Sequence, residues 1–478
     1  MTPSRRAKIV CTLGPATFSE MVIEKLIRSG MDVARLNFSH GDNQTYKNVI
    51  QILREKSKKI KKQITIIQDL QGPKIRVGNL KADLFVKEGQ KIKVTTRDIE
   101  GFGDILPIPY APLRHALEKE NRILIDDGLI ELEVIQGGGT EILCRVLNPG
   151  VIKSHKGVNL PYLKGNAPTM TQKDLKDLAF GIREGVDFIA LSFVRSAKDI
   201  SFLRTKIPKT SGIGIIAKIE KKEALDHFDE ILDAADGIMV ARGDLAIESS
   251  MEMVPCLQKE IIQKCNIALK PVITATQMLE SMVEHPRPTR AETSDVANAV
   301  LDGTDALMLS AETASGAYPI ESVKMMDTII QEVERHHHYH EKEFFFKPHM
   351  GYAKSKFAVG DGSMEGAACH LAQGIGASFI CCLSEKGRSA VRLSKHRPRQ
   401  PIIALTHDPK TLNKLSLVWG VRAYLIKNLL KRGKIYNLIQ RILLKDLKLG
   451  HAGDKIVITT GVFTKSPETT RIIKVHTL

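Results

Sequence analysis

Four apolar runs in the middle of the chain each finish on a functional group: Ile215-Ile216-Ala217-Lys218-Ile219-Glu220, Ile238-Met239-Val240-Ala241-Arg242-Gly243-Asp244, Val272-Ile273-Thr274-Ala275-Thr276-Gln277 and Leu307-Met308-Leu309-Ser310-Ala311-Glu312. Helix-forming sequence separates them. Short, continuous apolar runs of this kind read as strands buried on both faces, the signature of a parallel sheet covered by helices. Four earlier runs, Lys8 to Gly14, Asp32 to Phe38, Ile64 to Leu70 and Asp187 to Phe193, extend the pattern to eight. Helical stretches are expected at Glu20 to Ser29, Gln44 to Lys62 and Thr171 to Glu184, the last opening on Thr171-x-x-Asp174, which resembles a capping box. Eight strand-helix units predict a (β/α)8 TIM barrel, with its chemistry at the C-terminal ends of the strands. Arg35, Asn37, Ser39, Asp69, Ser192 and Arg195 stand at the ends of the earlier runs.

One unit is interrupted. After Asp69 comes a tight Gln71-Gly72-Pro73 turn, and about ninety-five residues of short alternating strand signals follow. The clearest are Leu84 to Lys87, Lys91 to Thr95, Arg122 to Asp126, Ile130 to Ile135 and Glu141 to Val146, with Gly137-Gly138-Gly139 dividing the last two. This predicts an inserted β-rich lid at the catalytic face. The barrel is expected over 1–71 and 168–335, the lid over 72–167, and a third, α/β domain over 345–478. The barrel's last helix is expected from Pro319 through Arg335, followed by a polar stretch in which His336-His337-His338-Tyr339-His340 reads as a solvated linker rather than a metal site.

Composition limits the function classes. No apolar run approaches the ~20 residues needed to span a bilayer, and Arg5 and Arg6 precede no apolar segment of a signal peptide, so an intracellular, cytoplasmic protein is expected. Seven cysteines lie scattered, mostly inside apolar runs and without a CxxC pair, as reduced core residues would. The formal charge of +16 raises nucleic acid as a partner, through Lys56 to Lys62 and Lys427 to Lys434. Those tracts lack interleaved aromatics and fit exposed helix faces, so neither nucleic acid nor membrane is expected as a partner. A positive field also favours encounter with small polyanionic substrates.

Glu220 and Asp244 end consecutive runs, where two carboxylates can hold a hard divalent cation, most plausibly Mg2+, with water and substrate oxygens completing the shell. Lys218, two residues before Glu220, shares its face of the strand and suits an enolate or a transferring phosphoryl group. Arg35 and Arg76 flank the mouth, where guanidinium forks can grip phosphate. Structural ion pairs explain any one of these pairings, but poorly explain all of them at strand ends.

Several strings closely resemble the signatures of the pyruvate kinase family: Ile9-Val10-Cys11-Thr12-Leu13-Gly14-Pro15-Ala16, Ala34-Arg35-Leu36-Asn37-Phe38-Ser39-His40-Gly41, Gln71-Gly72-Pro73-Lys74-Ile75-Arg76, Lys218-Ile219-Glu220, Val240-Ala241-Arg242-Gly243-Asp244-Leu245 and Ala275-Thr276-Gln277-Met278-Leu279-Glu280-Ser281-Met282. The resemblance runs in order along nearly the whole chain. It implies phosphoryl transfer between phosphoenolpyruvate and ADP, giving pyruvate and ATP, in a barrel with a small β-barrel lid and a C-terminal regulatory domain, within a homotetramer. Glu220 and Asp244 would hold Mg2+, or Mn2+ in its place. Lys218 would neutralise the transferring group, which Arg35 and Arg76 would grip. Ala241, Arg242 and Gly243 would present amides to the substrate carboxylate beside the Thr276 hydroxyl, and Thr276 would belong to a relay that protonates the enolate. Asn37, His40, Lys156 and Asp127 would meet the nucleotide, and Asn37, Ser39 and Asp69 would line a monovalent-cation pocket.

Three positions depart from the commonest pattern of that family. Lys74 replaces the glutamate of the potassium-requiring branch, and its ammonium, expected close to Asn37 and Ser39, can serve the charge of a bound K+, so no potassium requirement is expected. Ala246 stands for a glycine and Lys221 for an asparagine. The tail Val462 to Thr470 lacks the family's glycine-rich form. In the third domain, Ser384-Glu385-Lys386-Gly387-Arg388-Ser389 follows a strand and opens a helix; taken alone it is an ordinary turn, but within the resemblance it implies a site for a phosphorylated effector. Two other readings stay open: a different metal-dependent barrel enzyme acting on pyruvate or phosphoenolpyruvate, and a catalytically dead barrel kept for sensing or interaction.

Overall fold

The computed structural model describes residues 5–161, 168–336, 363–426, 435–461 and 470–478. Eight parallel strands close a barrel in which each neighbours the next in sequence: Lys8–Leu13 (β1), Val33–Asn37 (β2), Thr65–Asp69 (β3), Phe188–Leu191 (β4), Gly214–Ile219 (β5), Gly237–Ala241 (β6), Val272–Ala275 (β7) and Ala306–Leu309 (β8). The expected TIM barrel is therefore present, and β3 still pairs with β4, Phe188 opposite Ile67, across the insertion. Alternation along each strand sorts two cores. Ile9, Leu36, Ile215 and Val240 face outward onto helices such as Glu20–Ser29 and Asn43–Ile60, while Val10, Val33, Ile67, Ile216 and Met239 fill the interior. The helix Gln172–Glu184 starts on a complete capping box, Asp174 N–H donating to Thr171 Oγ1 (3.1 Å) and Thr171 N–H to Asp174 Oδ2 (2.8 Å). The last barrel helix covers Pro319–Arg335.

The lid is a six-stranded half-barrel sheet in the order Val158–Asn159, Arg122–Ile125, Ile130–Gln136, Glu141–Val146, Lys91–Thr95, Ile105–Pro107, beside a two-stranded pair of Gly150–Ile152 and Leu84–Val86. It has its own core, including Ile92, Val94, Ile123, Leu132 and Ile142. The chain leaves the barrel for it through Gly72, at φ 71°, where a Cβ would stand 2.9 Å from Phe193 Cδ2, so only glycine fits without strain.

The third domain carries five strands in the order Val421–Leu425, Ile402–Thr406, Phe379–Leu383, Lys455–Gly461, Thr470–Thr477, the last antiparallel. It closes the lower end of the barrel. Leu417, fully buried, joins the interior core beside Ile67, Phe188 and Ile216, and Asn413 Nδ2 donates to Asp187 Oδ1 (2.5 Å) at the foot of β4. All seven cysteines are free thiols, and only Cys256 is exposed. Among the described residues no helix is long and apolar enough to cross a membrane. His337 to His340, Lys427 to Lys434 and most of the Val462 to Thr470 tail lie outside the described residues.

Candidate active site

The same inward positions that build the apolar interior become polar at the top of the barrel. In β2 they run Val33, Arg35, Asn37; in β3, Thr65, Ile67, Asp69; in β5, Gly214, Ile216, Lys218, with Glu220 just beyond. The period of two thus delivers two cations and two carboxylates to one buried cluster. Arg35 Nε lies 2.7 Å from Asp69 Oδ2, and its Nη1 donates to Thr12 Oγ1 at 2.9 Å. Lys218 Nζ stands 2.8 Å from Glu220 Oε1 and 3.3 Å from Asp69 Oδ1, and donates to Ser192 Oγ at 2.8 Å. Asp69 and Glu220 are each only 1% exposed.

Burial and pairing compete for the charge of each group. Burial opposes the Lys218 ammonium, but Asp69 and Glu220 outweigh it and raise its pKa above the ordinary 10.5. The Asp69 carboxyl, despite burial, is held below the usual carboxylate range by Lys218 and Arg35. Glu220 moves the other way: burial and the Asp244 charge raise its pKa against the pull of Lys218. The Glu220 charge, opposed by burial and by Asp244, is one that a divalent cation would relieve. Among the described residues no group of three or more acidic, histidine or cysteine side chains could hold a metal, so a divalent ion at Glu220 and Asp244 would need water and substrate oxygens to complete its shell.

Asp244 does not end a strand. Strand β6 stops at Ala241, and Asp244 occupies the first turn of a short helix, Arg242–Glu248. The Arg242 guanidinium turns back to make a fork with Asp295, Nη1 to Oδ1 at 2.6 Å and Nη2 to Oδ2 at 2.7 Å, and also donates to the carbonyls of Ala275 and Thr276. Those contacts hold Thr276 at φ 70°, a left-handed conformation that costs a β-branched residue roughly 1–3 kcal/mol. Gly243 N–H donates to Thr276 Oγ1 (2.9 Å), which itself donates to the Ala275 carbonyl (2.6 Å). Ala241, Arg242, Gly243, Asp244 and Thr276 are therefore brought together, but the Gly243 amide is already engaged and Ala241 sits in the ladder opposite Ala275.

Other expected neighbours are further apart. Arg76 Nη1 donates to the His155 carbonyl (2.9 Å) within the lid. Lys74 makes no hydrogen bond or ion pair with Asn37, Ser39 or Asp69; past the turn at Gly72 it lies against the lid, where a Cβ on Gly157 would stand 3.0 Å from its Cε. Asn37 Oδ1 instead accepts from Ser39 N–H (3.2 Å). Lys156 pairs with Asp126 (2.9 Å), Asp127 is exposed at the lid's edge with φ 56°, and His40 is exposed on the barrel, with no hydrogen bond or ion pair joining them among the described residues. In the third domain, Ser384, Lys386 and Gly387 lead into the helix Arg388–Lys395, which also contains Ser389; Gly387 (φ 79°) packs on Thr411 and Leu415.

Sequence reasoning gave no role to Ser192, Thr12 or Asp295. Ser192 had a signal in its place at a strand end. Asp295, in a helix 53 residues beyond Arg242, had none. The Phe193 amide, which donates to Glu220 Oε2 at 2.6 Å, is invisible to side-chain reasoning.

Two family profiles match the chain: one described as pyruvate kinase, barrel domain, over residues 4–323, and one as pyruvate kinase, alpha/beta domain, over residues 363–476. The chain belongs to the pyruvate kinase family. A pyruvate kinase of Staphylococcus saprophyticus is 43% identical over 477 residues, covering 99% of this chain and 80% of the relative. Those of Sporosarcina psychrophila and Staphylococcus aureus are 42% identical with the same coverage. Membership of the pyruvate kinase family makes the chain a phosphotransferase and implies phosphoenolpyruvate and ADP as its substrates.

Proposed function

We propose that the upper rim of the barrel carries out Mg2+-dependent phosphoryl transfer from phosphoenolpyruvate to ADP, without a potassium requirement and under control of a phosphorylated metabolite. The observation that carries the chemistry is Lys218, an ammonium held charged between Ser192, Asp69 and Glu220. The bond from phosphorus to the enolate oxygen breaks, a bond to a terminal oxygen of ADP forms, and the enolate takes a proton at carbon three to become pyruvate. Lys218 and Arg35 face the charge that passes between the two oxygens, and they act by position and electrostatics without a covalent phosphoenzyme. A cation bound at Glu220 and Asp244 would supply Lewis-acid stabilisation of that same charge. Thr276 has a hydroxyl pKa too high to act as an acid alone; its place in a relay requires release of the Ala275 carbonyl.

A lysine at position 74 adds a permanent positive charge near the mouth, and support for potassium independence comes from that charge, not from contact with Asp69. The loop 384–389 offers hydroxyls, a glycine and the first amides of a helix, which suit a phosphate. The family resemblance also favours a cytoplasmic homotetramer, which the sedimentation mass of the enzyme tests.

The deciding experiment is ADP-dependent pyruvate formation from phosphoenolpyruvate, titrated with Mg2+ or Mn2+ in potassium-free buffer. Turnover without ADP would instead identify a different enolate-forming barrel enzyme. Failure at every metal concentration would identify a dead barrel.

A further inference from the structure

Lys221 directly follows Glu220, and Glu248 lies one helical turn beyond Asp244 on the helix Arg242–Glu248. Lys221 Nζ stands 3.3 Å from Glu248 Oε1. The same carboxylate oxygen accepts from Asn159 Nδ2 of the lid at 3.4 Å. Glu248 and Asn159 are 5% and 7% exposed, and with Lys221 they line a cleft where lid and barrel meet. One ion pair thus ties the segment that carries the first carboxylate to the segment that carries the second.

We propose that Lys221 is a positioning residue that sets the separation of Glu220 and Asp244 through Glu248, a reading that rests on those two carboxylates being metal ligands. A lysine in this place spans to Glu248 with a charge; an asparagine is shorter and brings none. Because Glu248 is buried, loss of its cation leaves an anion with one neutral donor, and the carboxylate must shift toward water. The shift is carried to Asp244 along a single turn of helix. A mere neighbouring charge would act in the opposite sense: removing a positive lysine beside a cation site strengthens cation binding.

That difference in sign gives the test. Mn2+ binding to the full-length enzyme, without substrates, is measured by electron paramagnetic resonance of the free ion for wild type, Lys221→Met, Lys221→Arg, Glu248→Gln and Glu220→Gln. Lys221→Met and Glu248→Gln should each weaken Mn2+ binding by about 10-fold, the scale for groups that orient a ligand without being one. Lys221→Arg should restore it. Unchanged or tighter binding in Lys221→Met overturns the proposal, and Lys221→Gln, which also removes the charge, decides the matter in the same way if Lys221→Met does not fold. Wild-type Mn2+ binding in Glu220→Gln would show instead that the metal reading itself is wrong.

Discussion

In one cluster at the lower end of the barrel a lone carboxylate, Asp305, faces two cations, Lys395 and Arg397; in the cluster at the upper end three carboxylates, Asp69, Glu220 and Asp244, face Arg35 and Lys218. Asp305 Oδ2 accepts from Lys395 Nζ (2.6 Å) and Val272 N–H (3.0 Å), and Oδ1 accepts from Arg397 Nη1 and Trp419 N–H, both at 3.3 Å. Lys395 gives its remaining donors to Asn266 Oδ1 (2.9 Å) and the Lys270 carbonyl (3.0 Å), and its side chain is wholly buried. That cluster is closed and has no use for another cation. The upper cluster is anion-rich, and Glu220 registers the excess in its raised pKa. Burial of opposed charges does not by itself mark a functional site. What separates the two ends is the unbalanced charge left facing an opening.

The largest expected effect comes from breaking the closed end. Lys395→Met removes the buried ammonium shared by Asp305, Asn266 and the Lys270 carbonyl, leaving Arg397 as the remaining cation on Asp305, and should destabilise the enzyme by about 3–5 kcal/mol, read as a lower urea midpoint, with turnover of the folded fraction unchanged. Added Mg2+ should not recover the midpoint. If turnover fell as far as it does for the upper lysine, the lower cluster would belong to the chemistry and the contrast would fail.

Lys218→Met is the counterpart at the open end. Turnover should fall by about 3 kcal/mol, roughly two orders of magnitude, the scale for one lost transition-state donor. Any stability lost with the lysine should return as Mg2+ fills the anion-rich site, because a ligand that binds only the folded state stabilises it. The pKa of Lys218 is raised in the folded protein, so its contribution to stability is fully present below the ordinary 10.5 and is lost only as pH climbs through the higher folded value. Any alkaline fall in turnover below pH 10.5 should therefore persist in Lys218→Arg. Turnover of Lys218→Met within a few-fold of wild type would remove the lysine from the mechanism.

A third test asks whether the domain that closes the lower end speaks to the upper one. Lys386→Ala combined with Arg388→Ala should abolish activation by sugar phosphates or nucleotides while saturated turnover stays nearly constant, since coupling between sites is typically about 1–3 kcal/mol. Activation curves for phosphoenolpyruvate with and without each metabolite provide the measurement. Undiminished activation places the effector elsewhere.

The two ends also differ in how much of them the sequence discloses. The upper cluster is local: Lys218 and Glu220 share a face by the period of the strand, and Arg35 and Asp69 end neighbouring runs. Thr171 and Asp174 announce their helix by spacing alone. The lower cluster joins Asp305 to Lys395 and Arg397, about ninety residues on and in another domain, and no periodicity relates them. Leu417, the plug of the barrel floor, reads as one more apolar residue after a helix. Strands of two or three residues, such as Val158–Asn159 and Gly150–Ile152, are too short to display alternation. Asp244 was misplaced because the chain leaves its strand direction after Ala241, and a pattern carried past a turn loses its register.

The smallest expected effect concerns Lys74, which lies against Gly157 of the lid without an ion pair to Asp69. Its ammonium adds positive charge near the open end without completing the cluster, so it should lessen the need for K+ while leaving the divalent requirement intact. Wild-type enzyme is expected to be fully active in sodium or tetramethylammonium buffer. Lys74→Glu should lower that activity by about tenfold, some 1.4 kcal/mol, and create a potassium requirement, because it adds a carboxylate to an end already rich in them. Turnover is measured against K+ at fixed ionic strength, so that screening is not read as occupancy. Stimulation of the wild type by tenfold or more would mean that a bound monovalent cation, and not Lys74, supplies the charge beside the upper cluster.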